Sequence, residues 1–369
     1  MKANMLRVLA VADPAVSGYV DQKNGLLESY KGQVSMDVVP WDVYYDTMMG
    51  AFAGKEEYDI VMAAGHLWKC DFAEKEYLEE LRYDMEDILP VIEREMWYKN
   101  KCYLSPSFCD GHMIVYRKSV MRKVTGKELK QVITPQEYIE TAKKLHESGY
   151  QIGMKAAVSE IFTDALPFLR MNGSDVYGEE GAPCCAKSEV VSGLESYCRL
   201  KRYAQEGTEL FGNEEIADRI KNKEVAMAVT WSGQMGVVWE QDCIEKEDLG
   251  FATFSTAWNV TWSFGINRNS KQKERAAELL EYLRIPAVDW TAGITSGAPV
   301  RRASYEKGRA KFPWYPCQLE MFKYAKALPD MLNAGEKNNL FYREIHKAFV
   351  GEISAATAME HVQRGIEQM

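Results

Sequence analysis

Over the first sixty or so positions, short apolar runs alternate with longer segments of helical period. Leu6-Arg7-Val8-Leu9-Ala10-Val11-Ala12 is short and aliphatic, so it reads as a buried strand. A helical segment is expected from about Val20 to Tyr30. A second strand, Val34-Ser35-Met36-Asp37-Val38-Val39, is stopped by Pro40. A helix from Asp42 to Phe52 and a third strand, Tyr58-Asp59-Ile60-Val61-Met62, follow. Strands alternating with helices predict a mostly parallel sheet with crossover connections. Small molecules bind such sheets beyond the C-terminal strand ends. Trp41 and the expected loop Ala63-Ala64-Gly65-His66-Leu67-Trp68 occupy that position.

Further along, Cys102-Tyr103-Leu104-Ser105-Pro106 and Gly111 to Lys118 read as two extended segments meeting a helix start. Thr134-Pro135-Gln136-Glu137 is a capping box with proline at the first helical position. The helix it opens turns Tyr138, Ala142 and Leu145 toward a core and ends near Gly149. Ser188 and Ser270 are expected to cap two more helices. Ala226 to Thr230 reads as a short buried strand ending at Trp231. Helical patterns dominate from Pro316, including Phe341 to Val350 and Ser354 to Ile366.

Composition narrows the classes. A chain of 369 residues suits two lobes better than one core. The net charge of -9 argues against nucleic acid, which needs a basic surface to displace counterions. No apolar run is long enough to span a bilayer. Nine Trp and twenty Tyr are more than a core alone requires, so a minority are candidates to line a binding surface. The eight cysteines form no C-x-x-C pair. Cys109-Asp110-Gly111-His112 holds two metal-ligand types but lacks a second pair, so neither metal nor cofactor is expected. Inert thiols, with room for a few disulfides, are the expectation. The start, Met1 to Arg7, lacks the apolar core and cleavage site of a secretory signal. Motifs of zinc proteases, P-loops, dinucleotide sites and serine-hydrolase elbows are missing from the sequence. Ser304-Tyr305-Glu306-Lys307 matches S-x-x-K by spacing alone. No catalytic residue is assigned.

Four signals then follow in a set order: Lys223 to Gly233, Trp258 to Asn267, the helical Ser270 to Leu283, and Gly297-Ala298-Pro299-Val300-Arg301-Arg302-Ala303-Ser304. This order resembles the extracellular solute-binding proteins of ABC importers, in particular the maltose-binding-protein-like sugar binders. Tyr58-Asp59-Ile60-Val61 resembles their strand before the first ligand loop, and Phe162 through Gly173 their helix ending at glycine. Lys223 replaces a glycine that many members carry at a turn. The resemblance implies an α/β, two-lobed periplasmic-binding-protein fold of type II. Each lobe is a central, mostly parallel sheet flanked by helices, with the ligand cleft between lobes. Lobe one is then 1–115 plus 264–314 and lobe two 116–263 plus 315–369, with hinge crossings near 116, 262 and 314.

The implied activity is capture of a small solute, a mono- or oligosaccharide, by hinge closure, and delivery to importer permease subunits. A monomer is expected, extracytoplasmic or lipid-tethered if an export signal was removed. Sugar binders pack flat aromatics on C–H faces and hold hydroxyls with carboxylates, amides and Arg. The candidates are Trp41, His66, Trp68, Asp110, Asp164, Trp231, Trp258, Asn259, Trp262 and Arg301. Each has a plainer reading. Trp41 starts a helix and can pack on the sheet. Asp164 suits the positive end of a helix dipole. Arg301 and Arg302 can be solvated, and one of Trp258 and Trp262 is expected to face ligand. Two alternatives stay open: a binder of a polyamine, organic anion or peptide, and a cytoplasmic transferase on a binding-protein-like fold.

Overall fold

The computed structural model describes residues 5–82 and 84–369, so Met1 to Asn4 of the chain start discussed above lie outside it. The strands in chain order are β1 (Leu6–Val11), β2 (Val34–Val39), β3 (Ile60–Ala64), β4 (Trp97–Tyr98), β5 (Lys101–Cys102), β6 (Ser105–Arg117), β7 (Val132–Ile133), β8 (Ile152–Gly153), β9 (Met227–Trp231), β10 (Leu249–Phe254) and β11 (Asn259–Ile266). The chain forms two compact units. Unit one is Met1–Asp110 with Val260–Gly308, and unit two is Gly111–Asn259 with Arg309–Met369. The chain passes between them inside β6, at the start of β11 and after Gly308; the expected crossings are near 116, 262 and 314.

In unit one, β1 is flanked by β2 and β3, both parallel to it, and β11 runs antiparallel along β3 with Trp262 opposite Ala64. β1 and β3 are almost wholly buried aliphatic runs, as a strand covered on both faces requires. This pairing gathers the segments after Val11, Val39 and Ala64 on one sheet edge, and the antiparallel sense of β11 brings Trp262 to the same edge. The first helix is Pro14–Val20, not Val20 to Tyr30. Asp13 accepts a hydrogen bond from the Ala15 N–H at 2.8 Å, and Pro14 sits where a missing N–H is harmless. The expected loop from Ala63 to Trp68 is instead the end of β3 running directly into a helix, Gly65–Glu74.

In unit two, β6 pairs antiparallel with β9 and β10, while β8 and β7 add parallel partners to β9 and β10 respectively. The two extended segments expected around residue 110 are one strand, β6, thirteen residues long. The Thr134 capping box forms: the Glu137 N–H donates to Thr134 Oγ1 at 3.1 Å and the Thr134 N–H to Glu137 Oε2 at 2.8 Å. Ser188 and Ser270 do not cap. The cap positions are Lys187, one residue before Ser188, and Gln272, two residues after Ser270. The core is built around the fully buried helix Ile161–Leu169, whose Phe162 stacks on Phe341 at 4.5 Å between centroids. Among the described residues no helix is long and apolar enough to cross a membrane.

Candidate functional site

The aromatic candidates of unit one meet at the strand-end edge. Trp41 opens the helix Trp41–Phe52, and Tyr44 and Tyr45 follow three and four positions on, the spacing that puts side chains on one helical face. Trp41 is 48% exposed and stacks on Trp68 with centroids 5.8 Å apart and planes 29° apart. Trp262 meets both rings edge-on, at 5.9 and 6.3 Å, and itself stacks on Phe108. Tyr45 is 45% exposed and lies 5.7 Å from Trp68. Beneath them Tyr44 is buried and donates its hydroxyl to the Met62 carbonyl at 2.6 Å. The result is an open aromatic surface of Trp41 and Tyr45 on a buried floor of Trp68 and Tyr44. Such a surface can pack against the C–H face of a flat, polyhydroxylated ring.

The polar candidates of unit one divide. His66 is the second residue of its helix, and burial pushes its pKa down to about 3, so it is neutral near pH 7. Asp110 is buried on β6. Asp13 was not among the sequence candidates. Loss of water and the nearby Asp110 carboxylate hold its carboxyl well above the usual carboxylate range. A carboxyl that holds its proton can donate to a hydroxyl as well as accept from one. Arg301 does not join this group. Its Nε donates to Arg284 O at 2.6 Å, its Nη1 donates to Glu86 O at 3.2 Å, and it faces Asp87. With two donors on unit one's own backbone and a carboxylate beside it, Arg301 acts as a structural clamp, contrary to the expectation of a ligand contact.

Unit two assembles a second cluster around the end of β9. The antiparallel register sets Trp231 opposite His112, with ring centroids 4.7 Å apart. His112 donates through Nε2 to Thr163 O at 2.8 Å, and its Nδ1 accepts the Trp258 N–H at 3.2 Å. Both nitrogens are therefore engaged in the neutral form, burial lowers the pKa to about 3, and the ring is a poor metal donor. Trp258 is buried and meets Trp231 edge-on at 5.5 Å, so of the tryptophan pair Trp258 is core and Trp262 the more exposed. Asn259 is fully buried.

Beside Trp231 sits a charge that the sequence reading missed. Lys155 is fully buried, with its ammonium 3.8 Å from the centre of the Trp231 ring, 3.8 Å from Glu160 Oε2 and 4.0 Å from Asp164 Oδ1. Trp231 Nε1–H donates to the same Glu160 oxygen at 3.4 Å, and Asn213 Nδ2 donates to Glu160 Oε1 at 3.2 Å. Asp164 accepts the Tyr197 hydroxyl at 3.1 Å; burial raises its pKa to about 7, against the pull of Lys155. The signal for Lys155 was a single cation inside the apolar run from Ile152 to Ala157, since Lys is almost never buried without a partner.

The fold is similar to those of several solved binding proteins. T. maritima MalE3, solved with maltose bound, shares 21% identity over 99% of both chains with a TM-score of 0.88. An ABC transporter solute-binding protein from Agrobacterium radiobacter K84, in complex with ribitol, shares 18% over 99% of this chain and 98% of that one, with a TM-score of 0.86. A third, from Thermotoga lettingae TMO with α-D-tagatose bound, shares 19% over 99% of both chains with a TM-score of 0.85. Identities this low carry the fold. The family model for bacterial extracellular solute-binding proteins matches residues 18–288, nearly three quarters of the sequence, and so the chain belongs to that family.

Proposed function

We propose that this protein is the substrate-binding receptor of an ABC importer, that its ligand is a mono- or oligosaccharide, and that it works outside the cytoplasm, passing the ligand unchanged to permease subunits. The observation that carries this reading is the exposed aromatic surface of Trp41 and Tyr45 over buried Trp68. A half-exposed tryptophan backed by a stacked partner is apolar area held ready for a flat apolar face, and a pyranose C–H face supplies one. Carboxyl groups at Asp13 and Asp110 in unit one can hydrogen-bond to hydroxyl groups. The similar structures hold maltose, a pentitol and a ketohexose, all neutral and polyhydroxylated.

A thermal-shift screen across sugars, polyols, amino acids, polyamines and short peptides tests the assignment. A ligand at about one hundred times its dissociation constant adds roughly 2.7 kcal/mol to the stability of the form it binds. Sugars or polyols should give the shifts, and NMR of the recovered ligand should show it unaltered. Shifts from polyamines or peptides with none from any sugar class would overturn the carbohydrate assignment, and turnover of the ligand would overturn the receptor role.

A further inference from the structure

Lys155 has no place in the reading above, which needs only an aromatic surface and acceptors. An ammonium with no exposed surface is costly unless its surroundings compensate. Here they do so on three sides, with the Trp231 π face, Glu160 and Asp164. Two of those three groups are also joined to each other by the Trp231 Nε1–H to Glu160 hydrogen bond. Ammonium, indole and carboxylate therefore form a closed triangle in which moving any one member disturbs the other two. Glu160 is the only member with appreciable exposure; its side chain is 21% exposed, against 0% for Lys155 and 3% for Asp164. Asn213 fixes its second oxygen.

We propose that Glu160 is a specificity-determining hydroxyl acceptor for the ligand, and that Lys155 is its positioning residue, acting through the carboxylate and the Trp231 ring without touching ligand. This rests on the carbohydrate reading for the class of ligand, but the positioning claim does not. A carboxylate oriented by two protein donors, with an ammonium 3.8 Å away, keeps lone pairs free on its exposed side. It accepts from hydroxyl groups and repels carboxylates and phosphates, so the ligand class it admits is neutral or cationic. Losing the ammonium would leave Glu160 and Asp164 facing each other without a counter-charge. Glu160 would then turn toward water and release the indole N–H.

The test uses Lys155→Met, which keeps the side-chain length without the charge, Glu160→Gln, and the double variant. The first readout needs no ligand: the indole N–H resonance of Trp231, assigned by its disappearance in Trp231→Phe. Lys155→Met should shift it and speed its exchange with water, while the melting curve stays cooperative. The second is affinity for maltose, ribitol and D-tagatose as probes. For any probe bound by the wild type, each single variant should weaken binding at least tenfold, and the double variant should lose no more than the larger single loss. An unmoved indole resonance in Lys155→Met overturns the positioning claim. Losses that multiply in the double variant overturn it too, because Lys155 would then act independently of Glu160. Should Lys155→Met not fold, Glu160→Gln must still shift the indole resonance, and failure to do so overturns the triangle. If the wild type binds none of the three probes, or Glu160→Gln leaves their affinities unchanged, the acceptor role falls while the indole result still decides the positioning role.

Discussion

Trp41→Ala and Trp68→Ala, made separately, should divide binding from folding. The two rings stack 5.8 Å apart, yet Trp41 is 48% exposed and Trp68 only 7%. Truncating a core tryptophan costs about 3–5 kcal/mol, the lost transfer energy plus an unfilled cavity. Trp68 meets those conditions, walled by Trp41, Tyr44, Tyr45, Phe72 and Trp262. For Trp41 about half of the transfer term is missing in the folded state, and the space opened is continuous with water. Alanine also suits the first helical turn better by several tenths of a kcal/mol. Its net folding cost should therefore be about 1 kcal/mol. In binding the order reverses in clarity. Trp41 is the ring with free surface, and losing a stacked aromatic anchor costs about 1–3 kcal/mol, or roughly 5- to 150-fold in Kd.

The assay is urea denaturation followed by far-UV circular dichroism, paired with isothermal titration of the sugar found in the thermal screen. Trp41→Ala should hold its urea midpoint close to wild type and lose affinity; Trp68→Ala should lose several kcal/mol of stability first. If Trp41→Ala destabilises as much as Trp68→Ala and leaves Kd unchanged, the exposed surface is not the ligand surface, and the carbohydrate reading loses its main support.

Acid should act on unit two with opposing signs. His112 is held at about 3 against an ordinary 6.5, so the unfolded chain takes up its proton first and stability falls as pH drops from about 6.5 toward 3. Asp164, held near 7, takes up its proton in the folded state first, so its contribution rises as pH drops from about 7 toward 4. Relative to Asp164→Asn, the wild type should gain stability between pH 8 and 5 in urea titrations; a constant difference would refute the raised carboxyl. Gly193→Ala should destabilise by about 1–3 kcal/mol, because the added methyl would lie 2.3 Å from the Phe168 carbonyl oxygen and backbone cannot rotate aside. A neutral substitution on thermal melting would show that the helix Ser188–Arg199, which holds Gly193, can move away from Ile161–Leu169. Asn100→Gly should stabilise by about 0.5 kcal/mol: Lys99 and Asn100 both have positive φ in the two-residue turn joining β4 to β5, where glycine is unstrained. A lowered urea midpoint would contradict that turn assignment.

Strand positions in unit one were legible because β1 and β3 are buried on both faces and carry continuous aliphatic runs. Helix starts were legible only where the cap chemistry was complete. Thr134 with Pro135 and Glu137 forms the reciprocal box, whereas the Ser188 hydroxyl donates to the adjacent Glu189 carboxylate and the Ser270 hydroxyl to Asp59, far away in the sequence. The opposite error occurred at Asp13-Pro14, a cap and first-turn proline passed over in favour of a later helical pattern. The two-unit division has no local signal. It depends on β11 pairing with β3 and β9 with β6, contacts between segments far apart in the sequence, and it was available only through the resemblance.

The site was legible as residue types and not as roles. Tryptophans at strand ends pointed to the right neighbourhoods, but sequence cannot say which of two stacked rings is outermost, and Trp41 rather than Trp68 holds the free surface. Trp231 shows the same limit in a sharper form. As the aromatic ending a buried strand it suggested an open stacking platform, yet a buried ammonium lies over its ring, His112 packs against it, and it is 7% exposed. An indole already engaged in this way has little surface left for a sugar. What it can contribute is a fixed N–H, and through that bond a fixed Glu160. The residue that matters for contact is therefore the neighbouring carboxylate, and the lysine beneath the ring explains why an apolar strand end in unit two carries a charge at all.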